Sequence, residues 1–478
     1  MEKLGVFLQC FVFALLVSNV LAVNITISNS GDNNDDDNSL YVFADEVEIL
    51  KVCVENAEDI SDLTLVAVSK DEDIFRIAND SLRFSVTTNE TVEIGILGVF
   101  VGIEDIELKL ERGGDVIKNG NHVIKVKRQP SILVVIYTWS ITAWLLISYI
   151  TMGCKMDWRI IREKLRRPYG VLIGAFCQFI IMPALSFGLA KLLNLDDAAA
   201  IGLVTIGSCP GGWLSNVFSL LLDVDFVLSL TMTFISTILA LGFMPLNLFL
   251  YASQFTGDNE NLKTPFFDIM IQLVTLVIPV FIGMVILYKF PKLADICLKC
   301  LKPFAVILLV MGLGLGTPAQ LYVYFSDWEI FVAGVSLPFI GGCIGFGIAK
   351  IARIELKSSV TISLETGVQN SLLAIAMVRI SYPQPESDLI NRVPFLVVLF
   401  TSLEGTILTI AKVVVQKYFW KSGGEVEEVE IRNKGKHPEM IEIDGKKCIT
   451  SVSVGIQVGE ENSDNDDVSL DNPGFTKD

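Results

Sequence analysis

The chain has 478 residues, 51% of them hydrophobic, and a mean hydropathy of +0.54, values that exclude a soluble globular protein of this size. The net charge is −17, and the acidic excess lies in residues 24–128 and 421–478, on either side of a nearly neutral apolar centre. This distribution excludes a nucleic-acid-binding protein, which requires a basic face.

The first 22 residues are typical of a signal peptide. Lys3 precedes the apolar run "VFLQCFVFALLV", and "VLA", ending at Ala22, places small residues at the spacing of a cleavage site. A signal anchor is the alternative, although the apolar run is shorter than a full membrane span.

Residues 23–128 are expected to form a small extracellular or luminal domain rich in β-strands. Apolar and polar residues alternate in several stretches, from "EVEILKVCVEN" to "HVIKVK", and Asp, Asn and Gly separate them at spacings that predict a small antiparallel sandwich. Asn24, Asn79 and Asn89 each begin an N-x-S/T triplet. We expect glycosylation at these three asparagines, which fits a location outside the cytoplasm.

Residues 129–417 are expected to form a membrane domain of nine transmembrane helices. The apolar segments are 131–151, 169–193, 196–222, 225–251, 266–288, 303–324, 329–351, 357–382 and 391–417. Lys and Arg are concentrated in the alternate loops 155–167, 289–302 and 350–357, which marks these loops as cytoplasmic. The N-terminal domain is then outside, and residues 418–478 form an acidic, unstructured cytoplasmic tail.

Two of these segments contain residues that interrupt a helix in its middle. The third contains "SCPGGWLSN" (208–216) and the eighth contains "SLETGVQNS" (363–371), and the two run in opposite directions across the membrane. Such an arrangement is typical of inverted repeats, and discontinuous helices in corresponding positions indicate a transport site near the midplane.

Glu365 lies within the second interruption. A carboxylate in mid-membrane costs ~2.5–3.5 kcal/mol and usually has a partner, and no Lys or Arg occurs in the middle of the neighbouring segments. We therefore expect a bound hard cation such as sodium, which prefers oxygen ligands. The nearby polar side chains are those of Gln178, Ser215, Asn216, Ser229, Thr233, Gln369 and Asn370. Two alternatives stay open: hydroxyls that bond their own helix backbone, and a protonated, ion-free Glu365.

The two interruptions, "SLTMTFISTILALGFMPL" (229–246) and "AFCQFIIMP" (175–183) resemble the motifs of the sodium/bile acid cotransporter family over residues 131–417. The resemblance implies a core and a panel domain, two broken helices that cross, and two sodium ions coupled to the uptake of an organic anion. By matching positions, one sodium would bind the side chains of Ser215, Asn216, Ser229, Thr233 and Glu365. The other would bind the side chains of Gln178, Glu365 and Gln369 and the carbonyls of Thr366 and Val368.

The chain departs from the bile acid carriers in two places. Trp213 stands where they have a small residue, and the exported domain resembles an orphan branch of the family. We expect a sodium-coupled symporter of an organic anion, bile acid-like or sulfated steroid-like, with Asn370 near the substrate, and a location in the plasma membrane. The alternative is a receptor or sensor in which the exported domain binds an extracellular ligand. No G-x-S-x-G, H-E-x-x-H or P-loop motif indicates an enzyme.

Overall fold

The computed structural model describes residues 24–29, 39–55, 63–79, 81–86, 91–156, 158–166, 168–256, 262, 264–299, 307, 312–417, 441–443 and 446–448. The expected signal peptide, the acceptor Asn89 and most of the acidic tail lie outside these ranges. Within the tail, two short strands pair antiparallel, Ile441–Ile443 with Lys446–Cys448, where no regular structure is expected from the sequence.

The N-terminal domain, which is called the exported domain after its expected location, is a β-sandwich of two sheets. In its described part the strands are β1 (Asn24–Asn29), β2 (Leu40–Phe43), β3 (Val47–Glu55), β4 (Leu63–Ser69), β5 (Phe75–Ile77), β6 (Arg83–Val86), β7 (Thr91–Gly98), β8 (Gly102–Arg112) and β9 (Asp115–Lys127). One sheet has the order β1-β3-β7-β5 and the other β2-β9-β8-β4-β6. Alternate residues of both sheets, such as Val52, Ile94 and Leu108, are fully buried between them.

The prediction of a purely antiparallel sandwich is wrong at one edge. Strand β2 runs parallel to β9, with Leu40 opposite Ile124 and Phe43 opposite Lys127. A hairpin forces neighbouring strands to be antiparallel, but β2 continues into β3 of the other sheet, so no hairpin sets its direction.

Helices dominate the chain after Pro130. They are α1 (Ile132–Gly153), α2 (Trp158–Arg166), α3 (Tyr169–Phe176), α4 (Met182–Leu192), α5 (Asp197–Gly207), α6 (Trp213–Leu221), α7 (Phe226–Tyr251), α8 (Phe266–Lys289), α9 (Pro291–Lys299), α10 (Trp328–Ile351), α11 (Leu356–Gly367), α12 (Ser371–Ser381) and α13 (Glu386–Val415). A π-helical turn, Cys177–Ile181, joins α3 to α4 into one rod.

Six helical rods in the described residues are long and apolar enough to cross a membrane: Ile132–Gly153, Tyr169–Leu192, Phe226–Phe255, Phe266–Lys289, Trp328–Ile351 and Glu386–Val415. The third and eighth expected segments are each split into two short helices, α5 with α6 and α11 with α12. Most of the sixth expected segment lies outside the described residues, and its end is helical over 312–319 and 321–325. The chain is thus a multi-pass helical membrane protein with an N-terminal β-rich domain.

The exported domain is joined to the N-terminus of α13 by buried ion pairs. Lys125 Nζ lies 2.7 Å from Glu386 Oε1, and both side chains are almost completely buried. Arg128 donates to both carboxylate oxygens of Asp388, at 2.8 and 2.5 Å, and to the Ala319 carbonyl at 2.8 Å. More and less exposed residues alternate over residues 117–123 of β9, but residues 124–126 are all buried. The pattern changes because α13 covers the side of the sheet on which Lys125 lies.

Candidate ion and substrate site

The two interruptions meet in the interior of the membrane domain. Gly211, between α5 and α6, forms an antiparallel bridge with Gln369, between α11 and α12. The Gly212 amide donates to the Val368 carbonyl at 3.4 Å. Unwound backbone inside a membrane must find partners within the protein, and here each interruption supplies partners for the other.

Glu365 lies at the centre of this crossing and is 2% exposed. It belongs to the last turn of α11 rather than to the unwound stretch that the sequence suggests, because the Val368 amide still bonds the Leu364 carbonyl at 2.8 Å. Hydroxyls from two other helices donate to its carboxylate. Ser215 and Ser229 reach Oε2 at 2.6 and 3.2 Å, and Thr233 reaches Oε1 at 2.5 Å.

Asn216 completes this cluster. Its Oδ1 accepts from Ser229 Oγ at 2.9 Å, and its Nδ2 donates to Thr233 Oγ1 at 3.1 Å. Ser215 and Asn216 lie together in the first turn of α6, while Ser229 and Thr233 lie one turn apart on α7. The structure therefore brings together all five side chains of the first expected sodium set.

No Lys, Arg or His of the described residues forms an ion pair with Glu365. A buried carboxylate is costly unless a cation or several donors compensate its charge, and here only hydroxyls surround it. Hydroxyl and amide groups can turn their oxygens toward a cation that enters among them. The cluster thus has the oxygen-rich chemistry of a hard-cation site.

Gln178 forms the centre of a second polar cluster. Its Nε2 donates at 2.6 Å both to the Cys209 carbonyl and to Gln369 Oε1. Gln369 in turn donates to the Thr366 carbonyl at 2.6 Å. Two oxygens, one from each interruption, therefore converge on the NH₂ group of Gln178, at a place that a cation could occupy if the Gln178 amide turned over.

The second expected set is only partly assembled. The hydrogen bonds of Glu365 go to the first cluster rather than to Gln178 or Gln369. The Val368 carbonyl is bonded to Gly212. Gln178, Gln369 and the Thr366 carbonyl are the members that the structure places in contact.

The π-helical turn that carries Gln178 is a feature the sequence reading does not identify. Pro183 has no amide hydrogen, so the carbonyl of Phe179, four residues earlier, lacks its helical partner. Asn247 of α7 donates to that carbonyl at 3.1 Å. The proline is the only sequence signal for this turn, and it does not distinguish a π-helical turn from a simple kink.

Asn370 begins α12 and caps it. Its Oδ1 accepts from the Leu373 amide at 3.3 Å, and its Nδ2 donates to the hydroxyl of Tyr149 on α1. Tyr149 is not recognisable from the sequence, where it is one aromatic residue in an apolar span. The contact nevertheless links the second broken helix to α1.

A cavity of about 210 Å³ opens beside the first cluster. Helices α1, α6, α7 and α9 line it, with Met152, Lys155, Trp213, Asn216, Leu230 and Ile296 among the wall residues. Trp213 is 9% exposed, and its ring centroid lies 6.5 Å from that of Trp144. A mostly apolar pocket therefore adjoins the first cluster at Asn216, which belongs to both.

The family model and the similar proteins that are named as transporters all indicate the same family. The family model described as the Sodium Bile acid symporter family matches residues 142–323. The ileal sodium/bile acid cotransporter of Cricetulus griseus is 34% identical over 302 residues, which are 62% of this chain and 85% of that protein. Sodium/bile acid cotransporter 5 of Rattus norvegicus is 33% identical over 265 residues, 55% of this chain and 61% of that protein.

The P3 protein of Mus musculus is 35% identical over 274 residues, which are 57% of this chain and 58% of that protein. The chain thus spans a little over half the length of the P3 proteins that it matches. The match to the ileal carrier, by contrast, extends over most of that protein. The chain is therefore a membrane transporter-family protein rather than an enzyme, and it belongs to the sodium/bile acid symporter family.

Proposed function

We propose that the chain is a sodium-coupled symporter of an organic anion, the class to which bile acids and sulfated steroids belong. Two sodium ions would bind at the crossing of the broken helices. One observation carries the proposal: Glu365 is buried among Ser215, Ser229 and Thr233 with no cationic side chain to pair with it in the described residues. A sodium ion would supply the missing positive charge.

The second ion would bind at the cluster around Gln178. Rotation of its amide by half a turn would exchange a donor for an acceptor and add a third oxygen to those of Cys209 and Gln369, and the Thr366 carbonyl that Gln369 contacts is a further candidate ligand. Because the two clusters share the same pair of interruptions, one ion would order the backbone that the other requires. This supports binding of the ions as a pair.

Transport would proceed by alternating access, with the two interruptions in corresponding positions of inverted repeats. The basic loops support a topology with the exported domain outside and the acidic tail in the cytoplasm. The chain would then cross the membrane nine times, with the plasma membrane as the host membrane. Each charge that moves inward contributes about 2.3 kcal/mol per 100 mV. Two sodium ions would therefore outweigh the opposing field on one monoanion.

The first test is the dependence of stability on sodium. A ligand that binds only the folded state raises the stability by RT ln(1 + [L]/Kd). We expect the melting temperature of the purified full chain in detergent to rise with sodium, with choline as the replacement ion. Glu365→Gln keeps the shape of the side chain and should abolish the rise.

Glu404→Gln is the matched control, since Glu404 is a second glutamate within a membrane helix, α13, and takes no part in the described hydrogen bonds of either cluster. It should leave the sodium dependence unchanged. A wild-type protein whose melting temperature is the same in sodium and in choline would contradict the proposal.

A ligand-sensing membrane receptor is the second candidate function. The buried pairs of Lys125 with Glu386 and of Arg128 with Asp388 favour it, because they would transmit a movement of the exported domain directly to α13. Uptake driven by a sodium gradient in proteoliposomes separates the two functions, since a receptor would bind sodium or ligand without flux.

A further inference from the structure

Lys155 is an unusual residue in the wall of the 210 Å³ cavity. It follows the C-terminus of α1, and its Nζ lies 4.9 Å from the ring centroid of Phe226, at the start of α7. In the described part of the chain its ammonium group has no carboxylate partner. The other wall residues are mostly apolar, so this charge dominates the electrostatics of the cavity.

The charged groups on the packed elements do not compensate Lys155. Asp225, the residue before Phe226, is held by Lys164 at 2.8 Å and by Ser358 at 3.0 Å. On α9 the wall contributes Ile296 and the thiol of Cys297. Burial without a partner lowers the pKa of Lys155 to about 7, as expected for an ammonium group that lacks a counter-ion.

We propose that the cavity binds an amphipathic organic monoanion smaller than a bile acid, whose anionic group pairs with Lys155 and whose apolar part packs on Met152, Trp213 and Leu230. This inference rests on the proposed function and names its substrate class. The anion supplies the partner that the lysine lacks, and the carbon chain fills an apolar space next to Asn216 of the ion cluster.

The size restriction follows from the volume. Drug-sized ligands occupy pockets of roughly 300–1,000 Å³, and this cavity has about 210 Å³. Trp213 contributes the largest side chain to the wall and packs against Trp144, so the wall cannot move outward without separating two buried indoles. A carboxylate or sulfonate with a short alkyl or single-ring body would fit.

Cys297 provides a test that does not depend on transport, because a bound ligand should shield its thiol. The rate of maleimide modification at Cys297 would be followed by peptide mass spectrometry in the full chain, in detergent with sodium. The probes are n-hexanesulfonate, neutral 1-hexanol and taurocholate. We expect hexanesulfonate to slow the reaction severalfold, and both hexanol and taurocholate to protect far less.

Lys155→Met should raise the half-protecting concentration of hexanesulfonate at least about tenfold, the effect of losing one charge-assisted contact. Lys155→Arg should keep most of the protection. Lys292→Met removes an exposed lysine at the start of α9, outside the cavity wall, and should match the wild type.

The assignment to Lys155 would be overturned if hexanesulfonate protected Cys297 equally in Lys155→Met and in the wild type. It would also be overturned if hexanol protected Cys297 as well as hexanesulfonate does. Protection by taurocholate at lower concentration than hexanesulfonate would overturn the size restriction. Protection that is identical in sodium and in choline would instead contradict ion coupling in the proposed function and leave the assignment to Lys155 standing.

Discussion

Gly211 shows how closely the backbone approaches the carboxylate of Glu365. A Cβ atom at this position would lie 2.2 Å from Glu365 Oε1. Any side chain at this position would therefore have to displace the Glu365 carboxylate. The glycine pair after Pro210 thus has a role beyond breaking a helix: it lets a carboxylate lie directly against the main chain.

Gly211→Ala should abolish sodium-dependent stabilisation, because the methyl group must displace Glu365 from its hydroxyl donors. The melting temperature in sodium and in choline measures this. Gly188→Ala is the control: no atom lies within 4 Å of a Cβ placed there. In the interior of α4 it should raise stability by about 0.5–1 kcal/mol and leave the sodium response intact.

The affinity of the cavity for hexanesulfonate should depend on pH through Lys155. Its pKa is lowered to about 7 by burial, so the ammonium group is charged below pH 7 and neutral above it, while the sulfonate stays ionised. Protection of Cys297 should therefore be constant below pH 7 and weaken by about tenfold per pH unit above it. In Lys155→Arg, which stays charged, this decline should be absent.

Among the secondary-structure elements, the π-helical turn Cys177–Ile181 has the largest effect on the site. It directs Gln178 toward both interruptions, where its amide bonds Cys209 and Gln369. One rod that spans the membrane thereby contacts both broken helices, which belong to different halves of the sequence.

Gln178→Met should remove the ion at the Gln178 cluster and weaken the binding of the other. The side chain keeps its length, but the Cys209 carbonyl and Gln369 Oε1 lose a donor, which costs about 1–3 kcal/mol for each group left unpaired. We expect a lower melting temperature in choline and a shallower sodium titration than in the wild type. An unchanged titration slope would contradict binding of an ion at the Gln178 cluster.

The positions of the broken helices follow from the sequence, because Pro210, Gly211 and Gly212 cannot continue a helix and Glu365 needs a partner inside a membrane. The crossing itself is known from the sequence only through the family resemblance, since contacts such as Gly211 with Gln369 join residues more than 150 positions apart. Local propensity also assigns α11 one turn too short, because the Val368 amide finds its helical partner despite the glycine before it.

At the scale of the whole molecule, two buried ion pairs unite the exported domain with the membrane domain. Nothing in "HVIKVK" distinguishes Lys125 from an exposed residue of an edge strand. The sequence therefore predicts a domain that folds independently of the membrane helices. The Lys125 side chain is only 2% exposed because α13 lies against β9. Interfaces of this kind are set by tertiary contacts that alternation along a strand does not encode.

A double-mutant cycle should separate this pair from ordinary surface pairs. Lys125→Met or Glu386→Gln alone should destabilise the protein by about 3–5 kcal/mol, because each leaves one buried charge unpaired, and the double variant should recover much of the loss. The exposed pair of Lys70 with Asp105, 3.0 Å apart, should give a much smaller coupling, because water screens the two charges. Unfolding free energies in detergent measure both, and equal couplings would contradict the role of burial.

The connection between β9 and α1 sets how far the exported domain can move. Only residues 128–131 separate Lys127 from Ile132, and a fully extended chain spans at most about 3.6 Å per residue. Even with both ion pairs broken, Lys127 could lie no more than about 18 Å from Ile132, five residues further along the chain. The N-terminal domain could therefore tilt on this short connection, but it could not move away from the helices as an independent module.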